Sequence, residues 1–489
     1  MAGSKTHRRL IIVGAGMSGL CLAIRLKKAG ISDFTIVEKS DDVGGTWFEN
    51  SYPNCGCDVP SFLYSFSFAP NYNWTRKYAR QPEILQYFRD CADRFGIRPH
   101  VVFNRHVTQA DWNEETHRWA VTLDDGQQLT ADYLVSAVGQ LNRPRIPQIP
   151  GADQFQGLSW HSARWNHAVD LTGKKVAIIG NGASTIQFVP EVAAKAERVY
   201  LFQRTPSWIQ PRHNYRYPRW LQWCFRNLPM AAQLHRLWLF LMCELRIVAF
   251  RQGTVASWIY RWWLKRTMKT LIRPELTDAL IPDYTPGCKR ILLSSDYLQT
   301  LQQSNVTLVT EGLQSFGRDS VATVSREFPV DVVIYGTGFE STGFLQPMTI
   351  AGRGGVSLEG TWNGRPRTLF GLATPAFPNM FMLYGPNTNL GHNSIIYMVE
   401  SQVDYLMKCL AEADRRKCCE IEVSEAAVTE YDKKLHTALE ESVWAAECTN
   451  WYKTADGTIS NNWAGSAMLY RIQTKRPDFN AWTFRFGDT

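Results

Sequence analysis

The chain has 489 residues, 45% of them hydrophobic and 20% charged, with ordinary glycine and proline and an aromatic share of 12%. That length supports two to four domains with a large core, and the composition excludes a disordered tail, a collagen and a small disulfide scaffold. The net charge of +8 is unevenly spread: Arg204 to Arg273 holds thirteen Lys/Arg against one acid, Glu244, which leaves the remainder net −4.

The start, Lys5 to Arg9 followed by the apolar run Leu10–Ile24, has the outline of a secretion signal, but the glycines inside it have a better explanation. Leu10–Val13 reads as an apolar strand, Gly14-Ala-Gly16-Met-Ser-Gly19 as a turn, Leu20–Ala29 as a helix and Phe34–Val37 as a second strand ending at Glu38. This is a βαβ dinucleotide site. Its glycines let the backbone approach a pyrophosphate at a helix N-terminus, and Glu38, 24 residues after Gly14, can accept hydrogen bonds from ribose hydroxyls.

The strand Tyr133–Val138 runs into Gly139 and a Pro-rich connector, Asn142 to Gly151. The first architecture then recurs: strand Lys175–Ile179, turn Gly180-Asn-Gly182-Ala-Ser184-Thr185, helix Ile186–Ala196 with Gln187 in its first turn, and strand Val199–Phe202. At the same spacing of 24 residues, Glu38 is replaced by Arg204, with Thr205 beside it. An acid there repels a 2′-phosphate, whereas a guanidinium binds it, so the first site is expected to take FAD and the second NADPH.

Arg212 to Pro286 shows no strand alternation and reads as a helical insertion. Val332–Tyr335 leads into Gly336-Thr-Gly338-Phe339, a second strand-to-glycine crossing paired with the one at Gly139. Thr368 to Val399 lacks Asp, Glu, Lys and Arg, but Pro375, Pro378 and Pro386 argue against a membrane span and for buried strands and loops beside a cofactor. A strand Asn379–Tyr384 delivers Gly385 to Asn389 there. The expected fold is therefore α/β, with two Rossmann-like dinucleotide-binding domains: FAD over 1–150 and 370–489, NADP over 151–206 and 287–369, and the helical insertion over 207–286. The eleven cysteines form no CxxC pair, which points to a reducing cytoplasm and away from zinc or dithiol chemistry.

After the connector comes Phe155-Gln-Gly157-Leu-Ser-Trp-His161-Ser-Ala-Arg-Trp165-Asn166. With a nucleotide site on either side, this segment resembles the FxGxxxHxxxW(P/D) signature of the Baeyer–Villiger monooxygenases, departing from it only at Asn166. The resemblance implies FAD and NADPH as cofactors, O2 and an apolar ketone as substrates, and an ester or lactone formed through a flavin C4a-peroxide. His161 is assigned to the hinge between domains. By the same resemblance Gly45, Thr46 and Trp47 contact the flavin, and the loop Tyr52–Asp58 brings Asp58 to it. Lys289 reaches the NADP 2′-phosphate, Arg290 lies over the flavin, and Trp463 closes over the nicotinamide. Negative charge on the attacking oxygen calls for a fixed cation, which Arg290 can be at any working pH, with Asp58 to orient it.

The rivals are an N- or S-oxygenating flavin enzyme, disfavoured by Trp165 and Arg290, and a non-catalytic flavin-binding surface module, disfavoured by the intact phosphate loops. No metal-ligand spacing or nucleic-acid motif is recognisable. The oligomeric state is not legible. The basic segment 204–273 also holds Trp208, Trp220, Trp223, Trp238, Trp258, Trp262 and Trp263. The favoured expectation is that these pack the helices of an ordinary subdomain, with peripheral membrane contact as the second.

Overall fold

The computed structural model describes residues 8–448, 450–454 and 456–487, so Lys5 lies outside the described residues. Two five-stranded parallel sheets carry the molecule, and they share one plan. The first runs in the order Met380–Met382, Tyr133–Ser136, Leu10–Val13, Phe34–Val37, Val101–Val102; the second in the order Leu158–His161, Val332–Tyr335, Lys175–Ile179, Arg198–Phe202, Val306–Val309. In each, the strand that enters the glycine turn is central and pairs with the strand that ends at the crossing.

The near-continuous apolar strands follow from burial on both faces. Leu10 and Ile12 point to one side, packing on the helices Met17–Lys28 and Ile395–Arg416. Ile11 and Val13 point to the other, where a smaller sheet of Thr349–Ala351, Val107–Asn113, Arg118–Leu123 and Gln128–Ala131 covers them with Trp112, Trp119 and Val121. The second sheet is covered likewise by a three-stranded antiparallel sheet, through Phe316, Val321 and Phe328.

The two crossings meet. Pro144 bridges Phe339, the Arg145 N–H donates to Gly338 O at 2.9 Å and the Glu340 N–H to Arg143 O at 2.9 Å. Beyond the second crossing, Thr349–Ala351 pairs with Val107–Asn113, and Phe344, Leu345 and Met348 pack beneath the first sheet. The uncharged stretch is less β-rich than expected: its strand is only Met380–Met382, and a helix begins at Ile395.

The insertion is helical as expected, with Arg219–Asn227, Pro229–Glu244 and Val255–Lys269, and its ends are held together where Ile209–Gln210 pairs with Leu292–Leu293. The expected packing of its tryptophans does not hold. Trp208 alone of the seven is buried; Trp220 and Trp258 are 67% exposed, and Trp223, Trp238, Trp262 and Trp263 also face outward. Among the described residues no helix is long and apolar enough to cross a membrane.

Candidate active site

The first glycine turn is built by close approach. A Cβ on Gly14, whose φ is +106°, would lie 2.7 Å from Ala137 O, and one on Gly19 would lie 1.9 Å from Gly14 O. Gly45 seats against this turn, with its Cβ position 2.9 Å from Gly16 Cα. Beside it, Thr46 opens the short helix Thr46–Glu49, and the Trp47 indole donates to Tyr64 Oη at 3.0 Å. Buried Glu38 braces the turn from below, its Oε2 accepting the Ala15 N–H at 2.7 Å and its Oε1 the Ser40 N–H at 2.9 Å. Gly139 has φ +73° and open space at its Cβ position. Asn389 accepts from Tyr384 Oη at 2.8 Å and donates to Asn462 Oδ1 at 2.8 Å.

The second turn repeats the first with one exchange. A Cβ on Gly180, φ +101°, would lie 2.5 Å from Gly336 O, while Gly182 has nearly free space. Thr185 stands where the first turn has Gly19, and Gly336 faces it: a Cβ on Gly336 would lie 2.1 Å from Thr185 Oγ1. Ser184 precedes the helix Thr185–Ala193 as its N-cap. The Asn181 amide holds the strand end by donating to Gln203 Oε1 and to Thr205 O, both at 2.9 Å. Arg204 is exposed just beyond. Burial lowers the Lys289 pKa, and Arg204 lowers it further, so the two cations expected to share one phosphate are electrostatic neighbours.

Gln187 lies in the first turn of that second helix. Its Oε1 accepts from Tyr52 Oη at 3.2 Å and from the Gly56 N–H at 3.0 Å, and its Nε2 donates to Gly56 O at 3.0 Å. The amide thus ties the Tyr52–Asp58 loop to the second nucleotide helix. Arg212, at the root of the insertion, donates to Cys57 O at 2.6 Å from the other side. Neither tie was legible in the sequence, since each joins distant segments without a motif.

Asp58 and Arg290 come together, Oδ2 to Nη2 at 3.8 Å. Burial works against the Arg290 charge, but Asp58, with the phenols of Tyr452 and Tyr384, outweighs it and raises the pKa. Burial pushes the Tyr452 phenol up to about 12 although Arg290 pulls it down. One-third of the Arg290 side chain stays accessible, whereas Asp58 Oδ1 and Thr185 Oγ1 are buried without a hydrogen-bond partner. A polar ligand spanning both turns would satisfy such atoms, and the glycine cradles leave backbone amides free for phosphates.

The signature residues explain one another. A Cβ on Gly157 would lie 2.4 Å from the Phe155 ring and 2.5 Å from Asp331 O, so the glycine makes the seat for the phenylalanine. His161 lies beside the crossing, its ring 5.5 Å from that of Phe339, and its Nδ1 accepts the Ala163 N–H. Burial lowers its pKa against the opposing effect of a Gly338 backbone hydrogen bond. Trp165 packs on Trp160 and Phe188, and Asn166 accepts the Ala168 N–H at 3.1 Å, making the turn that Pro or Asp would otherwise make.

Trp463 is 4% exposed and packs edge-on against Tyr470 in the C-terminal core, its indole donating to Ser466 O at 3.0 Å. Only its backbone joins the first site, donating to Asn389 O at 2.9 Å. The cysteines are not all free: Cys288, beside Lys289 and Arg290, forms a disulfide with Cys448, and nine others are free. A separation of 160 residues gave no sequence signal for the pair. Cys55 and Cys57 are buried free thiols, each pushed by burial to about 12.

Two parallel-sheet nucleotide units, an acid after one and an arginine after the other, and a guanidinium–carboxylate pair between their loops define a two-nucleotide flavoprotein oxygenase. A family model described as pyridine nucleotide-disulphide oxidoreductase matches residues 11–228. A Baeyer–Villiger monooxygenase of Streptomyces coelicolor is 41% identical over 476 residues, covering 96% of this chain and 92% of its own. The structure of a steroid monooxygenase bound to NADP superposes with a TM-score of 0.89 at 30% identity, covering 98% of this chain and all of that one. OTEMO in complex with FAD and NADP superposes with a TM-score of 0.87 at 26% identity, over 98% and 99% of the two chains. The chain belongs to the Baeyer–Villiger monooxygenase family, enzymes that use FAD, NADPH and O2 to oxygenate ketones.

Proposed function

We propose that this chain converts apolar ketones to esters or lactones, with Arg290 as the catalytic cation and Asp58 as the residue that positions it. The observation that carries this reading is the 3.8 Å Asp58–Arg290 pair on two loops, one of them fastened to the second nucleotide helix by Gln187. FAD, reduced by NADPH, supplies the activation of O2 and the transfer of one oxygen atom to the substrate. Arg290 keeps its positive charge through the working pH range and offers it where negative charge gathers during that transfer. Asp58 offsets the cost of burying the guanidinium and fixes its direction.

The first turn, with Glu38, Gly45, Thr46, Trp47, Gly139 and Asn389, holds FAD. The second, with Gly182, Ser184 and Thr185, holds the NADP pyrophosphate, while Arg204, Thr205 and Lys289 take its 2′-phosphate. His161 acts at the hinge. We divide the chain at the paired crossings, with the return to the FAD domain at Gly336–Phe339. We place the enzyme in the cytoplasm, with peripheral membrane contact through 204–273.

The test supplies the FAD-loaded enzyme with NADPH, O2 and linear, cyclic and aryl ketones, alongside an aryl sulfide and an amine. Esters or lactones are expected, and Arg290→Ala should abolish them while FAD stays bound. Asp58→Asn should lower kcat by about 10- to 100-fold, since loss of a counter-charge near 4 Å is worth up to about 4 kcal/mol at an effective dielectric of 20, partly screened here. Ketone turnover by Arg290→Ala at the parent rate, or sulfoxide and N-oxide without ester, would overturn the assignment.

A further inference from the structure

The insertion's helices present their apolar stripes outward. On Pro229–Glu244, Met230, Leu234, Leu237, Trp238 and Leu241 follow the i, i+4, i+7, i+8, i+11 pattern of a helix face, and all are at least 49% exposed. That helix also buries Ala232, Leu239 and Cys243 on its other side, so it is apolar nearly all round. Val255, Trp258, Ile259 and Trp262 make the same outward stripe on Val255–Lys269, and Trp220 and Trp223 extend it on Arg219–Asn227. Water-facing stripes on three helices exceed the scattered apolar residues of an ordinary surface.

The charge around these stripes has one sign. Arg219 and Arg226 flank the first pair of tryptophans, and Arg261, Lys265, Arg266 and Lys269 follow the last, all exposed. The Arg266 guanidinium lies over the Trp262 ring at 5.7 Å. Among the described residues, Arg251 alone of the thirteen cations has a carboxylate partner, Glu441. The segment's single acid, Glu244, is turned inward, facing His392 and accepting from Asn393 and the N–H groups of Ala467 and Met468. No acid within 204–273 therefore offsets the outer face.

We propose that this face seats on an anionic lipid surface, with the tryptophans and aliphatic stripes at the acyl boundary and the arginines and lysines at the headgroups. This deepens the peripheral contact proposed above and rests on that reading. Tryptophan beside cations is the composition of an interfacial helix, and apolar insertion combined with a cluster of positive charge is what holds a protein on anionic lipid. A second copy is disfavoured as the occupant, because a two-fold contact would set the same strongly positive face against itself. Next to this face in sequence, Ile247 and half-exposed Val248 line a cavity of about 730 Å³ with Phe250, Trp444 and Trp463. The Phe250 ring in turn lies against Gly287, 3.2 Å from its Cβ position, at the head of the loop carrying Arg290.

The experiment is sedimentation of the full-length, FAD-loaded enzyme with vesicles of phosphatidylglycerol and phosphatidylcholine, or phosphatidylcholine alone, at low and high salt. Binding to the anionic vesicles at low salt and release by high salt are expected. Trp258→Ser/Trp262→Ser and Lys265→Glu/Lys269→Glu should each lower the partition coefficient by about tenfold or more. These residues are exposed, and unchanged flavin content and turnover of a water-soluble ketone verify that the variants are folded. No sedimentation at low salt, or equal binding to neutral vesicles, overturns the proposal. So does a dimer, seen by light scattering, that the tryptophan variants dissolve. Vesicle binding needs no turnover, so its failure is separable from failure to oxygenate a ketone.

Discussion

The two nucleotide turns use opposite sides of the same contact, and a substitution can test that exchange. In the first, the strand ends in Ala137 and the helix offers Gly19; in the second, the strand ends in Gly336 and the helix offers Thr185. Gly336 does not have a positive φ, so alanine carries no backbone strain there, and the effect of Gly336→Ala is purely steric. Its new methyl would lie 2.1 Å from Thr185 Oγ1 and 3.4 Å from Thr185 Cβ. A β-branched side chain in a first helical turn has few rotamers to escape into, so the helix must shift away from the strand. Overpacking of this kind costs about 1–3 kcal/mol, or roughly five- to a hundredfold if all of it is felt in NADPH binding. Thr185→Ala removes the hydroxyl and leaves only the 3.4 Å contact, so the double variant should recover most of the loss. The assay is a double-mutant cycle on NADPH affinity and unfolding free energy, with FAD content as the internal control because the first turn is untouched. A coupling of about 0.5–3 kcal/mol is expected. Parent-like affinity and stability in Gly336→Ala, or strict additivity in the pair, would refute the reasoning.

Arg204 and Lys289 should make NADPH preferred over NADH by about 100-fold or more in kcat/KM, at about 1.5–3 kcal/mol per charge-assisted contact; Arg204→Ser/Lys289→Ala should erase most of this, and equal efficiency in the parent contradicts it. His161 is held neutral by burial, so between its lowered pKa and the ordinary value of 6.5 the unfolded chain binds more protons. Its contribution is full above about pH 6.5 and is lost as pH falls, so His161→Asn should flatten Tm against pH just below 6.5, where His235 also contributes, with carboxylates such as Glu244 taking over at lower pH; an unchanged slope would sink this. Alkylation of the unfolded, unreduced chain should modify nine cysteines and reach eleven only after reduction, read by intact mass.

The two dinucleotide units were legible because their physics is local. Apolar strands, glycines forced by approaches of 1.9–2.7 Å and a residue of chosen charge 24 positions on all lie within one short stretch of chain. Even the Asn166 departure was readable, since an asparagine can turn the chain by its own side chain. Long-range pairings were not. The position of Gln187 in the second turn suggests a nucleotide contact, and nothing local announces that its amide also ties the Tyr52–Asp58 loop, far away in sequence. Nor does Thr349–Ala351 announce its pairing, because it is specified by its partner strand more than by its own three residues.

The tryptophan-rich segment shows why composition alone misleads in a different way. Apolar residues at helical spacing mark a stripe, and the usual inference is that the stripe faces a core. Here one side of each helix does reach the core, through Phe225, Leu239 and Leu264, while the outward stripes stay exposed, and the insertion's ends are joined by the Ile209–Gln210 and Leu292–Leu293 pair. Its root nevertheless touches both halves of the active pair. Arg212 holds the carbonyl next to Asp58, and Leu292 lies two residues beyond Arg290. An insertion fixed at its root to the oxygenating loops, and bare at its outer face, is placed to couple where the enzyme sits to how Asp58 and Arg290 are held.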